Sequence, residues 1–233
     1  MVDMNLLTLA ISPVLICLFY IYIRDKYEKE PLSLLLTGVV YGAIITAPIV
    51  HFENFVTLFI PNLGIMAEGL YLSFVVAAFV EESFKFIVLY FLIWHNNNFN
   101  EPFDGIVYGA FISLGFAGVE NIMYTLNAQF GGISTALGRG IISVPMHGVF
   151  GIVMGFYFAM ARFYPENKAK YLAFAYFVPW LVHGLYDFII IVNLPFVMVF
   201  VIGYTAYFWH FSYRKMQMHL ELSPFKYRKE ISK

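Results

Sequence analysis

The stretch FVVAAFVEESFKFIVLYFLIW, Phe74–Trp94, has the length and apolarity of a membrane-spanning helix, yet its middle carries Glu81, Glu82 and Lys85. About 20 apolar residues suffice for a helix to cross the roughly 30 Å hydrocarbon core of a bilayer. Lipid offers no partner to an open backbone, so a spanning segment must be a helix or a strand of a closed barrel, and the alternation of a barrel strand is absent here. Three ionisable groups inside such a helix are costly enough to require a purpose.

The rest of the chain repeats the apolar pattern. Of 233 residues, 61% are hydrophobic and 12% charged, and the mean hydropathy is +0.73. Soluble domains carry roughly 45 to 50% apolar and 25% charged residues. Seven spans are expected, at about 5–23, 33–52, 68–94, 104–127, 136–163, 171–192 and 195–213. The breaks between them are marked by RDKYEKEP, PNLG, HNNNFNEP, QFGG, YPENK and Pro195. The expected fold class is all-α, a polytopic transmembrane helical bundle forming one transmembrane domain over residues 1–233. The first residues lack the basic flank of a cleavable signal peptide and read as an uncleaved anchor. Cys17 is the single cysteine, so no intrachain disulfide is available.

Orientation follows from the basic residues. Of 14 lysines and arginines, Lys85 and Arg139 lie well inside the expected spans, and with seven crossings the other twelve, at span ends or between spans, share one side. Cytoplasmic loops carry the excess of such residues, so the N-terminus is expected outside and the tail, about 214–233, in the cytoplasm. That tail reads as a solvated, headgroup-facing segment. His51, His95, His210 and His219 sit at span ends or in the tail and read as interfacial or solvated. The basic residues lie along a membrane with no soluble module attached, which gives no support to a nucleic-acid partner.

Eight ionisable residues lie well inside the spans: Glu81, Glu82, Lys85, Glu120, Arg139, His147, His183 and Asp187. Isolated at mid-membrane, the six charged ones would cost about 15 to 21 kcal/mol on the insertion scale, so they are expected to meet. Glu81 and Lys85, and likewise His183 and Asp187, are four residues apart and share a helix face, whereas Glu82 points about 100° away from Glu81. His147 heads a stripe of small residues, Gly151, Gly155 and Ala159, along which another helix can approach closely. Arg139, close to the outer boundary, is expected to snorkel to headgroups.

Four carboxylates against Lys85 and Arg139 leave excess negative charge that a dry site does not tolerate. Two readings follow. A Zn²⁺ ion suits a set of two carboxylates and two histidines, with Glu82, Glu120, His147 and His183 as the candidate ligands. Alternatively the site is metal-free, and crowding and burial tune one glutamate to act as a general base. The six candidates for catalysis are Glu81, Glu82, Glu120, His147, His183 and Asp187, with Lys85 and Arg139 in support.

Three motifs then appear in order. EESFK fits EExxK at Glu81, Glu82 and Lys85; FAGVE fits FxxxE at Phe116 and Glu120; HGLYD fits HxxxD at His183 and Asp187. Over about residues 66–192 the chain resembles the PrsW-type intramembrane proteases, relatives of the type II CAAX prenyl proteases and of the APH-1 subunit of γ-secretase. The resemblance implies a multi-pass protease of a prokaryotic cell membrane that cuts membrane-anchored proteins, an anti-sigma factor in regulated proteolysis being the archetype, at an extracytoplasmic position. In the CAAX proteases the second motif typically ends in His, where this chain has Glu120, which makes a metal more plausible here. Readings from other classes are a proton- or cation-coupled transporter, disfavoured because no internal repeat is evident, and a non-catalytic scaffold like APH-1, disfavoured by the intact EExxK.

Overall fold

Short-range chemistry sets the helix starts. The computed structural model describes residues 3–60, 62, 64–193 and 195–226. Asp3 caps α1 (Met4–Arg24), its carboxylate accepting from the Asn5 N–H at 2.9 Å. Pro31 precedes α2 (Leu32–Ile44), which continues past a break at Ile45 as α3 (Thr46–Thr57). After Gly64 a continuous rod comprises α4 (Ile65–Leu70), a π-helical stretch (Tyr71–Ala78) and α5 (Phe79–Ile93). Pro102 opens α6 (Pro102–Thr125), where Asp104 Oδ2 accepts from the N–H groups of Asn100 and Glu101 at 2.9 and 2.8 Å. Gly132, at φ 110°, leads into α7 (Ile133–Ile141), followed by α8 (Ser143–Phe163), α9 (Lys168–Val192) and α10 (Val197–Glu221).

Among the described residues, five stretches are long and apolar enough to cross a membrane: Met4–Arg24, Leu32–Thr57, Pro102–Thr125, Ile133–Phe163 and Pro165–Val192. The rod Ile65–Ile93 carries the three charged residues of the opening stretch, and α10 is 25 residues long. Successive rods alternate in direction. Gly105 and Gly109 of α6 meet Gly155 and Gly151 of α8 in antiparallel order, and Asn121 of α6 donates to Ala10 O of α1 at 2.8 Å.

Helix α6 is the axis of the bundle, and its contact with α8 depends on missing side chains. A Cβ at Gly155 would lie 1.9 Å from Gly105 O, and one at Gly109 would lie 2.4 Å from Gly151 O. The small-residue stripe after His147 therefore brings two backbones into contact, which fixes His147 beside α6. The π-helical stretch docks on α9. Phe74 O accepts from Trp180 Nε1 at 2.9 Å, and the Phe74 ring occupies the space a Cβ at Gly184 would need. Register shifts of this kind are common next to functional residues, and this one ends two residues before Val80 and Glu81.

Two expectations are corrected at the end of the bundle where the basic residues lie. His219 is fully buried, stacked on Phe156 at 4.2 Å with Nδ1 2.8 Å from Pro102 O. The start of the tail is not a solvated segment, because α10 continues to Glu221 with Met216 and Leu220 in the core. An apolar face on these last turns, which the basic residues around it disguise, gains more from packing on α6 than from the headgroup layer. Ser223 Oγ donates to Glu101 and Tyr108 OH to Glu30, which ties a second buried polar cluster together at this end. Arg228, Lys229 and Lys233 lie outside the described residues.

Candidate active site

All eight polar residues expected inside the spans converge. Lys85 Nζ donates to Glu81 Oε2 at 2.9 Å and to Glu82 Oε1 at 2.8 Å, and lies 3.4 Å from His147 Nδ1. Glu82 Oε1 also meets His183 Nδ1 at 2.9 Å, while His183 Nε2 lies 3.2 Å from Asp187 Oδ2 and 4.0 Å from Glu81 Oε2. His147 Nε2 is 2.9 Å from Glu120 Oε2, and its Nδ1 is 3.9 Å from Glu81 Oε2. Glu120 Oε2 accepts from Arg139 Nη2 at 2.7 Å. Five helices thus contribute to one network in which each charge lies near an opposite charge or a polar hydrogen, as a low-dielectric site requires.

Aromatic rings frame the network. Phe150 stacks on His183 at 4.4 Å and meets His147 edge-on at 5.7 Å. Phe116 lies under Lys85 Nζ at 4.4 Å and beside His147 at 5.5 Å. The first residue of FAGVE therefore holds the ammonium through its π face while Glu120, one turn on, holds the imidazole.

The two adjacent glutamates go different ways. Glu81 lines a cavity of about 680 Å³, together with Glu120, Arg139, His147, His183 and Asp187. Glu82 is absent from that wall; it is 0% exposed, and its Oε2 has no hydrogen-bond partner. The cavity also reaches Asn127, Phe130, Thr135 and Ile191, at the end of the bundle opposite the basic residues. Glu81, Glu82 and His183 each place one donor atom within 4.8 Å of the others, whereas Glu120 and His147 pair with each other.

Arg139 does not snorkel. It turns inward to Glu120, donates through Nε to Asn121 Oδ1 at 3.2 Å and stacks on Tyr124 at 4.0 Å, because a half-buried carboxylate and an aromatic face hold it better than the interface does. Several wall residues were not foreseen from the sequence. Asn121 links Arg139 to α1, Ser143 Oγ and Tyr186 OH lie 3.0 Å apart, and Glu53 of α3 faces the same cavity. The signal for Asn121 was its place beside Glu120 in an apolar helix; Glu53 fell just past the expected end of its span.

A polytopic helical bundle with a buried network of carboxylates, histidines and a lysine beside a cavity defines a membrane protein with an intramembrane polar centre. Residues 30–211 match the model of the PrsW family, described as intramembrane metalloproteases. The chain is 37% identical over 187 residues to Protease PrsW of Geobacillus kaustophilus, covering 80% of each. It is 34% identical to Protease PrsW of Clostridioides difficile, over 94% of this chain and 93% of the relative, and 33% identical to that of Bacillus subtilis, over 90% and 93%. No solved structure matches the chain. The chain belongs to the PrsW family and is a multi-pass intramembrane peptidase, surrounded by lipid and acting on protein. The transporter and scaffold readings give way to this membership.

Proposed function

We propose that the chain hydrolyses a peptide bond of membrane-anchored proteins in the half of the bilayer away from its basic end, with water activated at Glu81. The divergence of the two glutamates carries this reading. A general base must reach the water it deprotonates, and of the adjacent pair only Glu81 faces the cavity. Glu82, sealed behind it, fixes Lys85 and His183 through a single oxygen. Lys85 holds the Glu81 carboxylate in place by a direct bond. His183 is held by Glu82 at Nδ1 and by Asp187 at Nε2, with Nε2 4.0 Å from Glu81 Oε2, so its ring lies where a positive charge stabilises the oxyanion that forms as water attacks the carbonyl. Glu81 then passes its proton to the leaving amine.

The donor set fits the divalent metal that the family description implies. Glu82 Oε2 is buried without a partner, three donors converge, and Asp187 at the other ring nitrogen of His183 is the carboxylate that orients a metal-binding imidazole. Glu81, Glu82 and His183 would hold the ion, with His147 and Glu120 adjoining them. When bound it would polarise the scissile carbonyl and acidify a water.

Sidedness rests on charge. Arg24, Arg162, Lys168, Lys170, Arg214 and Lys215 lie at one end and the cavity opens toward the other, so the positive-inside rule puts the cavity outside and the C-terminal tail in the cytoplasm. Reconstituted protein should cut a membrane-anchored substrate, an anti-sigma factor being the first to try, and Glu81→Gln protein should not. A Glu81→Gln protein that cuts at the wild-type rate overturns the assignment. Metal content of purified wild type against His183→Ala separates the two chemistries: stoichiometric metal lost in the variant supports the metal route, and none in either leaves the glutamate alone.

A further inference from the structure

We propose that a groove beside the catalytic cavity is a subsite that selects a large apolar side chain of the substrate within a few residues of the scissile bond, and that Gly138 sets its depth. The inference rests on the peptidase reading above and adds to it what the substrate must present.

The groove holds about 300 Å³ and is lined by Gly138, Ile142, Ile190, Val197, Met198 and Val201, from α7, α9 and α10 and the break after α7. It is continuous with the catalytic cavity, since Thr135, Arg139, Ser143, Tyr186 and Ile190 belong to both walls. Arg139, at the junction, contacts Glu120, which contacts His147, which lies 3.9 Å from Glu81 Oε2. An extended chain advances roughly 3.3 Å per residue, so one whose scissile bond lies against Glu81 reaches the groove within a few positions. The occupant is therefore the substrate itself.

The chemistry of the walls agrees. A substrate span that unwinds for cleavage exposes peptide groups that lipid cannot satisfy. The junction supplies partners in the Ser143 and Tyr186 hydroxyls, 3.0 Å apart, and the guanidinium of Arg139. Past the junction the lining is aliphatic apart from Asn193 and carries no charged group, which suits an apolar side chain and repels a charged one. Gly138 is the telling position. Gly105, Gly109, Gly151 and Gly155 are glycines because a backbone lies against them, but a Cβ at Gly138 would meet no atom within 4 Å. Packing does not require a glycine there, and glycine weakens a helix relative to alanine. Its effect is to leave that side of the groove open.

The test uses full-length reconstituted enzyme and a set of anchored substrates that carry Ala or Phe in turn at each position flanking the cut. Wild type should prefer Phe over Ala at one position by about tenfold or more in kcat/KM. Gly138→Phe, which adds a ring on the groove wall where a Cβ meets no atom within 4 Å, should reduce that preference to within about twofold while Ala substrates are still cut. Val201→Ala should widen the groove and extend the preference to Trp. Gly203→Phe, at another open glycine that does not line the groove, should behave as wild type. A Gly138→Phe enzyme that keeps the wild-type preference overturns the proposal, as does one that loses rate equally on every substrate, which would mark the groove as a lipid site. Glu81→Gln run in parallel keeps the two readings apart, because its failure to abolish cutting would sink the peptidase assignment whatever Gly138→Phe does.

Discussion

The bundle buries carboxylates at two levels and uses them in opposite ways. At the cavity level, Glu81, Glu82, Glu120 and Asp187 are matched to Lys85, Arg139 and two histidines, and Glu81, Glu120 and Asp187 line a space of about 680 Å³ with Glu82 sealed behind them. At the basic end, Glu30, Glu101 and Asp104 are held by the hydroxyls of Tyr108 and Ser223 and by backbone N–H groups, and none of them lines that cavity. The first cluster matches its charges across five helices beside a cavity. The second pins the ends of α1, α6 and α10 together. Burial of acids is thus no mark of a functional site by itself; what distinguishes the two clusters is the opening to a cavity.

The comparison can be broken from either side. The largest expected effect is at the cavity: His183→Ala removes the ring between Glu82 and Asp187, and cleavage by purified protein should fall by about 10²-fold or more. Next is Arg139→Met, which leaves Glu120 against His147 without its cation. Because that pair is partly exposed, the loss should be about 2 to 4 kcal/mol, read as a lower thermal midpoint in detergent, with Arg139→Lys recovering only part of it. Gly155→Ala tests the shared scaffold, where a methyl 1.9 Å from Gly105 O must push α6 and α8 apart, costing about 1 to 3 kcal/mol.

The smallest effects belong to the basic end. Tyr108→Phe leaves buried Glu30 without its donor and should cost about 1 to 3 kcal/mol of stability, with the cleavage rate per folded molecule unchanged. Burial pushes the Glu30 and Glu101 carboxyls up from 4.5 to about 7, and nearby Asp25 and Glu28 push the same way. An acid raised in this way keeps its proton longer in the folded state, so its contribution is full below pH 4.5 and is lost as pH rises toward 7. The thermal midpoint should fall between pH 5 and pH 8, and Glu101→Gln should flatten that fall.

Much of this was legible in the sequence because lipid is a severe solvent. Apolar runs could only be helices, and Glu81, Glu82, Glu120, His147, His183 and Asp187 stood out against them as groups that had to find one another. Arg139 was misread because its nearness to a span end suggested the interface, while its partner Glu120 was visible only once α6 and α7 were placed. His219 was misread for a related reason: basic neighbours disguised the apolar face of α10. Glu53 and Tyr186 carried no signal at all, since wall residues are defined by the space they border. The separate duties of Glu81 and Glu82 were half legible, as a 100° divergence; which of them meets the cavity needed the packing of α6, α8 and α9.

The most direct test of the division between the two levels is the position of the cut. Mass spectrometry of the products from a reconstituted substrate with a defined membrane span should place the broken bond in the half of the span on the cavity side, opposite the basic ends of the enzyme. A bond broken in the half next to the basic end, at the level of Glu30 and Glu101, would contradict the account.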